Sequence, residues 1–401
     1  MQKKGAEGVR LSQRVLSIPS SNIRDSMKKT AAGTASGDLV NLAQGLPEFP
    51  TPDLFKLAAM KAIAGDRNQY CDTWGHPPVR EAIAAKYLSH YGMKVSGADE
   101  ITVTCGVSEA LNCSVLSLVD PGDEVITFEP FYENYRPNTL IAHGIPRFVQ
   151  LRKPNWTFDE KEMARAFNNK TKAIIINNPN NPTTRVFTRE ELEYIASLCQ
   201  KWGTIAICDE IYEHMVYDGR RHIPMATIPG MEDLTFTCSG LGKAYNVTGW
   251  RVGWVIAPKR YTKAMRKLHD YMTLAAPTPL QIAGMDALAS EQAFYDKVTA
   301  DHEAMRDRLC AHLRNAGFDF LTPEGTYFVM ADASRLGFKN DRALVKYMMD
   351  ELKVIAVAGF GFYRPRRHTN MVRFCFAKRP STLDTAGGRL LPLAARIGQP
   401  A

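Results

Sequence analysis

The chain lacks the features that mark membrane proteins, secreted proteins and small metal-bound scaffolds. No apolar run approaches the roughly 20 residues needed to span a bilayer. The basic N-terminus is followed by no continuous apolar segment, so we expect no secretory signal. The eight cysteines are scattered and include no CxxC pair, which indicates reduced thiols instead of a disulfide or zinc framework. We therefore expect a cytoplasmic protein with no membrane contact and no metal site.

Internal repeats and low-complexity segments are also lacking, and positive charge is not concentrated. The net charge is +8, but the lysines and arginines are spread along all 401 residues. The densest basic cluster is YRPRRH at 363–368, which we interpret as a solvated loop or a rim that attracts anionic substrates. Nucleic acid is therefore not an expected partner.

What the sequence does contain is an alternation of short apolar runs with helical patterns. Strands are predicted in EITVTCG, DEVITFE, TKAIIINNP, TIAICDEIY, LTFTCSGLGK and RVGWVIAP, with helices such as REELEYIASLCQKWG between them. This pattern predicts an α/β fold with a mainly parallel sheet covered by helices on both faces. We expect an N-terminal arm that forms part of a small domain (1–50), a large domain (51–280) and a small α+β C-terminal domain (281–401).

Unusual polar side chains follow several of these strands. Asn181 comes after AIIIN, Asp209 after IAIC, and Tyr212 one helical turn later. Lys243 follows TFTCSG, and Ser108 opens the helix after ITVTCG. Because ligands of open α/β sheets bind beyond the carboxyl ends of the strands, we expect these side chains to surround one ligand.

The phosphate end of such a ligand can be predicted first. A helix that begins after Gly106 offers free N–H groups and the positive end of its dipole, to which Ser108 adds a hydroxyl and Arg251 a charged clamp. Gly249 and Gly253 lie on either side of this arginine, which fits a tight bend into the next strand.

The residues expected around the other end of the ligand fit an aldehyde and a basic ring. Lys243 can form an imine, and Gly240 and Gly242 would let the backbone pass close to the ligand. Asp209 can pair with a protonated ring nitrogen, while Tyr212 and Asn181 can bind a phenolic oxygen. A ligand with all these groups is pyridoxal 5′-phosphate.

The order and spacing of longer motifs then carry a resemblance. VNLAQGLPEFPTP, NQYCDTWGHPPVREAIA, DEVITFEPFYENY, NNPNNPTTRVFTREEL, CDEIYEHMVYDG, GKAYNVTGWRVGW and MVRFCFAK occur in that order over nearly the whole chain. The sequence resembles class I aminotransferases of fold type I, in the branch of the kynurenine, glutamine and methionine aminotransferases.

The resemblance implies a role for each of these positions. Lys243 would hold pyridoxal phosphate as a Schiff base and act as the general base and acid. The remaining cofactor contacts would come from Val107, Ser108, Tyr132, Asn181, Asp209, Tyr212 and Arg251, with Tyr132 stacked on the ring. Arg373 would bind the substrate α-carboxylate, near Asn181 and Gly45, and Trp74 would line the substrate pocket. Tyr70 would reach the phosphate of a neighbouring subunit, which implies a homodimer with shared active sites.

Two positions depart from the family pattern. Many relatives have a serine three residues before the lysine, where this chain has Gly240; either Ser239 substitutes for it, or the phosphate is held with one hydroxyl fewer. Relatives usually read NPTG or NPLG where this chain reads NPTT, so Thr184 suggests a slightly altered turn.

The expected reaction is transfer of an amino group from an L-amino acid to a 2-oxo acid. Aromatic residues near the site favour a neutral, aromatic or sulfur-containing substrate side chain. The same chemistry at Cα also serves elimination, cyclisation and oxidation, so a lyase or cyclase stays open as the alternative. A transcription regulator with an aminotransferase-like domain is disfavoured, because the N-terminal extension is short and has no helix-turn-helix pattern.

Overall fold

The computed structural model describes residues 11–21, 23–24, 38–364, 367 and 369–399. The strands in this part of the chain are β1 (Val40–Asn41), β2 (Ile101–Cys105), β3 (Glu124–Glu129), β4 (Ile145–Gln150), β5 (Thr171–Asn177), β6 (Ile205–Asp209), β7 (Thr235–Gly240), β8 (Val252–Ile256), β9 (Phe328–Asp332), β10 (Val354–Ile355), β11 (Val357–Ala358) and β12 (Met371–Cys375).

The helices of the described residues occupy most of the segments between these strands. The α-helices are Gln13–Ser17, Asp53–Ala64, Pro77–Tyr91, Val107–Leu118, Tyr135–Ile141, Glu160–Ala166, Arg189–Trp202, Lys259–Met272, Thr278–Leu288, Gln292–Asn315, Asp341–Asp350 and Pro380–Leu390. Short 3-10 helices lie at Met225–Thr227, Thr248–Trp250, Ser334–Leu336, Gly359–Phe362 and Leu391–Arg396.

The central sheet has the order β2-β8-β7-β6-β5-β3-β4. Its pairs from β4 to β7 are parallel, whereas β8 runs antiparallel to both β2 and β7. Consecutive residues of β5 pack into different cores: Ile174 and Ile176 on one face, Ala173 and Ile175 on the other. A strand covered on both faces needs apolar residues at successive positions, which explains the run AIII. The predicted fold class is confirmed.

Local sequence fixes where the covering helices begin and end. The helix Arg189–Trp202 begins with a capping box, in which Thr188 accepts from the backbone N–H of Glu191 and the Glu191 side chain accepts from Thr188. It ends at Gly203, whose φ of 65° lies in the left-handed region that favours glycine. Two ends set by local chemistry hold the helix in register on the sheet.

Smaller sheets join the N-terminal segment to the C-terminal part. β1 pairs parallel with β10, and a second sheet has the order β11-β12-β9 with antiparallel pairs. Leu42 packs into the same core as Leu309, Val372 and Phe374. This packing supports the proposal that residues 1–50 and 281–401 form one smaller domain; the exact boundaries stay a prediction.

The basic cluster at 363–368 is only partly described, since residues 365, 366 and 368 lie outside the described residues. Of the others, Arg364 and Arg367 lie 3.3 and 2.8 Å from the buried carboxylate of Glu129. These two guanidinium groups are thus structural partners of a buried acid. Among the described helices, none is both long and apolar enough to cross a membrane.

Candidate functional site

A cavity of about 250 Å³ opens at the carboxyl edge of the parallel strands. Most of the residues predicted from the sequence line it: Gly45, Val107, Ser108, Tyr132, Asn181, Asp209, Tyr212, Lys243, Arg251 and Arg373. These residues lie together at the edge of the sheet because β5 and β6 end in register, with Asn177 opposite Asp209. Tyr70, Trp74 and Ser239 are not part of this lining.

One end of the cavity is built to receive an anion. The helix Val107–Leu118 begins after Gly106, whose φ of 75° lies in the region that favours glycine. The N–H groups at the start of the helix have no carbonyl partners earlier in the helix, which makes them available to an anion. The guanidinium of Arg251 lies against Gly106, where a Cβ atom would come within 2.5 Å of it. Arg251 itself has a φ of 55° and donates to the carbonyl of Thr248 at 3.2 Å. The guanidinium of Arg251 and the first turn of the helix Val107–Leu118 therefore face the same end of the cavity.

The glycines around this end serve close packing of the backbone. A Cβ atom on Gly253 would lie 2.5 Å from the carbonyl carbon of Gly106, so β8 can pass under the helix start only as glycine. A Cβ atom on Gly240 would lie 2.8 Å from the carbonyl oxygen of Val252. The expectation that Gly240 clears space for a cofactor is wrong, because the space beside it is taken by β8.

Asp209 is held as a buried carboxylate. Its side chain accepts a hydrogen bond from the hydroxyl of Tyr135 at 2.8 Å and a long one from the backbone N–H of Ile211 at 3.4 Å. Burial raises the pKa of Asp209 to about 6, because these two bonds and nearby Lys243 do not offset the loss of solvent. A protonated ring nitrogen is the kind of group that would restore the balance.

Lys243 lies half-buried on the cavity wall, and burial lowers its pKa to about 8. Its Nζ donates a hydrogen bond to the hydroxyl of Tyr327 at 2.8 Å. A substantial fraction of the amine is thus neutral near pH 8, which is the form needed to attack an aldehyde or to accept a proton.

Arg373 provides a buried cation on the other side of the cavity. It donates to the side-chain oxygen of Asn181 at 2.8 Å, and its guanidinium lies 3.9 Å from the ring centre of Phe328. Its Nε atom is buried without a hydrogen-bond partner in the described part of the chain. A buried guanidinium with an unused donor is suited to a carboxylate ligand. The residues present therefore fit pyridoxal phosphate together with an amino acid.

Two of the remaining predicted positions lie away from the cavity of their own chain. Tyr70 is 80% exposed. The indole of Trp74 packs 4.3 Å from the guanidinium of Arg266, and its Nε1 lies 3.5 Å from a carboxylate oxygen of Asp270. The prediction that Trp74 lines the substrate pocket is wrong for its own chain, because these contacts hold the indole elsewhere.

Ser239 does not replace the missing phosphate-binding serine. It is fully buried inside β7, and its hydroxyl donates to Glu213 at 2.8 Å. The same carboxylate binds Lys86 at 2.7 Å and accepts from Tyr91 at 2.7 Å. The hydroxyl of Ser239 therefore belongs to this buried ionic network and lies outside the cavity lining. That the phosphate is held with one hydroxyl fewer stays a prediction.

Thr184 has a φ of 69°, in the left-handed region that favours glycine. It is fully buried, and its hydroxyl has no hydrogen-bond partner among the described residues. Its carbonyl accepts from the backbone N–H groups of Glu324 and Gly325 at 3.1 and 2.9 Å. The threonine thus adopts a conformation suited to glycine, and this turn holds the segment that leads to Tyr327.

Sequence reasoning missed several residues of the site. Tyr135 binds Asp209, and the side-chain oxygen of Asn177 accepts from the backbone N–H of Asn181 at 2.6 Å. Both could have been found: Asn177 ends a predicted strand, and Tyr135 is one helical turn after Tyr132. Tyr327 gave no such signal, because only long-range packing brings it to Lys243.

Known proteins resemble the chain along nearly its whole length. The profile of the family described as aminotransferase class I and II matches residues 37–390. Human kynurenine–oxoglutarate transaminase 1 is 36% identical over 387 residues, which cover 88% of this chain and 92% of that protein. Kynurenine–oxoglutarate transaminase 3 from Mus musculus is 37% identical, with 88% and 84% covered.

Solved structures agree with this family. N-succinyldiaminopimelate aminotransferase from Mycobacterium tuberculosis has a TM-score of 0.92 and 36% identity, with 96% of this chain and 100% of that chain covered. A methionine aminotransferase from Escherichia coli has a TM-score of 0.91 and 30% identity, with the same coverage. The chain therefore belongs to the class I and II aminotransferase family: it is a pyridoxal-phosphate-dependent enzyme that transfers an amino group from an amino acid to a 2-oxo acid.

Proposed function

We propose that this aminotransferase prefers an L-amino acid with a neutral, bulky side chain, aromatic or sulfur-containing, and that its cavity residues act as the sequence predicts. The observation that carries the proposal is the presence of Asp209, Lys243 and Arg373 on the walls of one cavity. A carboxylate, an amine and a guanidinium match, respectively, the ring nitrogen and aldehyde of pyridoxal phosphate and the α-carboxylate of an amino acid.

The phosphate would be held by the first turn of the helix Val107–Leu118, the hydroxyl of Ser108 and the guanidinium of Arg251. Asp209 would keep the ring nitrogen protonated, and Tyr135 holds this carboxylate in place. Tyr212 and Asn181 would bind the phenolic oxygen, and Tyr132 would contact the ring. When bound, pyridoxal phosphate supplies the electron sink that makes the Cα–H bond of the amino acid acidic.

Lys243 performs the proton transfer. Its neutral amine would accept the proton from Cα of the amino acid and, as the ammonium, would return a proton as the general acid. Arg373 would bind the α-carboxylate and so restrict how the amino acid is oriented in the cavity that Lys243 also lines. Because burial lowers the pKa of Lys243 to about 8, more of the amine is neutral at mildly basic pH than for an ordinary lysine.

The preference for a neutral side chain has support from the cavity wall. Leu46, Ile211 and Phe328 contribute apolar surface beside the polar groups already assigned. Two of the similar proteins are named for kynurenine and methionine, which have uncharged side chains, whereas the N-succinyldiaminopimelate aminotransferase is named for a substrate with carboxylates in its side chain. The acceptor named for the kynurenine transaminases is oxoglutarate, which we propose as a 2-oxo acid for this enzyme as well.

A panel of amino donors tests the substrate class. The protein is mixed with one amino acid at a time, formation of pyridoxamine phosphate is followed by absorbance, and the products are identified by mass spectrometry. Fastest conversion of aromatic or sulfur-containing donors supports the proposal, whereas fastest conversion of aspartate or glutamate contradicts it. Release of ammonia with regeneration of pyridoxal phosphate would favour the lyase alternative.

We also propose a homodimer with shared active sites. Tyr70 is highly exposed, and the helix Asp53–Ala64 before it presents an apolar face whose members are each at least half exposed: Leu54, Leu57, Met60 and Ile63. Exposed apolar faces of this kind mark protein interfaces. A second copy of the chain would cover this face and receive Tyr70 at its phosphate site.

Complementation between inactive variants tests the shared site. Tyr70→Ala and Lys243→Ala are each expected to be inactive and dimeric. In a mixed dimer one site lacks both residues and the other retains both, so activity should return in part. Verified mixed dimers that stay inactive would show that Tyr70 serves its own subunit.

A cytoplasmic location is proposed from the thiols. All eight cysteines are unpaired, and six of them are buried. Free thiols in this number fit a reducing compartment. Cell fractionation with an antibody to the protein tests the location.

A further inference from the structure

Tyr327 connects the amine of Lys243 to the backbone of Gly45, and both of these residues line the cavity. Its hydroxyl lies 2.8 Å from Nζ of Lys243 and donates to the carbonyl oxygen of Gly45 at 2.7 Å. The phenol is fully buried, and its ring packs at right angles to that of Tyr212 with 5.3 Å between the ring centres. The side chain of Lys243 makes no other hydrogen bond to the described residues.

The direction of both hydrogen bonds follows from counting protons. A phenol has one proton to donate, and a carbonyl oxygen can only accept. The proton of Tyr327 therefore points to Gly45, and the bond to Lys243 must be donated by the amine. Burial holds the pKa of Tyr327 well above its usual value, so the phenol stays protonated over the working range of pH.

A donor bond from the amine has a geometric consequence. A neutral amine has two N–H groups and one lone pair, and committing one N–H to Tyr327 restricts the directions that the lone pair can take. Since Tyr327 lies outside the cavity lining, this bond leaves the lone pair free to face the cavity. The phenol does not supply the transferred proton, because its own proton is engaged by the carbonyl of Gly45.

We propose that Tyr327 is a positioning residue for Lys243, a role that rests on the function proposed above. The hydroxyl of Tyr327 holds the amine of Lys243 in place relative to Gly45 whenever the lysine is not bonded to the cofactor.

Gly45 has a matching requirement. A Cβ atom there would lie 3.1 Å from the hydroxyl of Tyr327 and 2.8 Å from Cζ of Phe328. Position 45 is thus restricted to glycine by the side chains packed against it. The resemblance to known aminotransferases gave Gly45 a place near the substrate; the structure adds that its carbonyl supports the phenol that holds the lysine.

The first test is Tyr327→Phe, which removes the hydroxyl and keeps the ring. In the full-length chain freed of cofactor, the pKa of Lys243 is measured from the pH dependence of its acylation by acetic anhydride, read by mass spectrometry. An oxygen acceptor stabilises an ammonium group more than an amine, so its loss should lower this pKa by about one unit. In the loaded enzyme kcat should fall about tenfold with little change in the KM for the amino acid.

Tyr295→Phe is the matched control. Tyr295 is also buried, and its hydroxyl bonds to that of Tyr245 at 2.7 Å, but it has no contact with the cavity. This variant should leave the pKa of Lys243 and the ratio of kcat to KM unchanged. Gly45→Ala is a second variant that crowds the phenol without deleting it, and it should also shift the pKa of Lys243.

The outcomes separate this proposal from the proposed function. If the wild-type protein prefers other substrates but Tyr327→Phe shifts the pKa of Lys243, the function assigned above fails and the anchoring stands. If the wild-type protein behaves as proposed while Tyr327→Phe leaves both the pKa and kcat at wild-type values, the role of Tyr327 is overturned. If Tyr295→Phe changed the pKa of Lys243 and kcat by the same amount, the effect of Tyr327→Phe would reflect the general loss of a buried hydrogen bond. That result would also overturn the role of Tyr327.

Discussion

Replacing Asp209 by asparagine is expected to stabilise the cofactor-free protein and to impair the loaded enzyme. The carboxylate of Asp209 is 4% exposed, and burial raises its pKa from 3.8 to about 6. One pH unit corresponds to about 1.4 kcal/mol, so the ionised carboxylate costs the cofactor-free fold about 3 kcal/mol. An asparagine oxygen can still accept from Tyr135, but the amide NH2 cannot accept from the backbone N–H of Ile211, so part of this cost should be recovered.

The pH dependence gives the sign of the effect. Because the folded pKa is raised, the wild-type protein is penalised only where the unfolded carboxyl is ionised: the penalty begins above pH 3.8, grows to about pH 6 and is constant beyond. The two proteins should thus unfold at similar temperatures near pH 4, and Asp209→Asn should unfold at a higher temperature at pH 8. Differential scanning calorimetry of both cofactor-free proteins across this range measures the difference.

With pyridoxal phosphate bound, the wild-type protein should unfold at a higher temperature than Asp209→Asn. A protonated ring nitrogen compensates the carboxylate but not the amide, so the cofactor should raise the unfolding temperature of the wild-type protein more than that of Asp209→Asn. The variant should also exchange the α-proton of an amino acid more slowly. Asp233→Asn, at an exposed position, is the control for loss of a carboxylate. Equal unfolding temperatures of wild type and Asp209→Asn at pH 8, without cofactor, would refute the reasoning.

Three further experiments test other parts of the structure. Thr184→Gly should raise the free energy of unfolding by about 1 kcal/mol, since it relieves a left-handed β-branched residue and a buried unpaired hydroxyl; a loss of stability on urea denaturation would contradict this. Ser108→Ala should weaken pyridoxal phosphate binding at least about tenfold while Ser239→Ala leaves it unchanged, as measured by fluorescence titration; equal losses would return Ser239 to the phosphate site. Lys86→Met should destabilise the protein by about 3–5 kcal/mol because Glu213 loses its buried partner, and adding Glu213→Gln should recover part of the loss; thermal melts that show no recovery would argue against the pair.

The sequence predicted the site where it depends on strand ends and missed it where it depends on packing. Asp209 and Lys243 could be placed because parallel strands bring their carboxyl ends to one edge. Ser239 could not be oriented, since side chains alternate within β7 and a shift of one residue decides which face a hydroxyl meets. Tyr327 comes from a segment 84 residues beyond Lys243, and no local periodicity reports such a contact.

The strand prediction had a similar limit. Six strands of the sheet follow the parallel pattern expected from alternating strands and helices, but β8 is antiparallel. The length of its connection could have shown this. Only residues 241–251 join β7 to β8, and a parallel crossover usually needs a dozen residues or more.

That short connection determines which parts of the enzyme can be redesigned independently. Lys243 and Arg251 lie on one hairpin between adjacent strands, so the distance from the Lys243 amine to the Arg251 guanidinium depends on a few residues of local backbone. Gly45, Phe328 and Arg373 come from the segments that form the smaller sheets and their surroundings. Libraries that vary the surroundings of Phe328 can change the preferred amino acid while the hairpin keeps the chemistry in place. Insertions within 241–251, in contrast, should abolish every amino-donor activity at once.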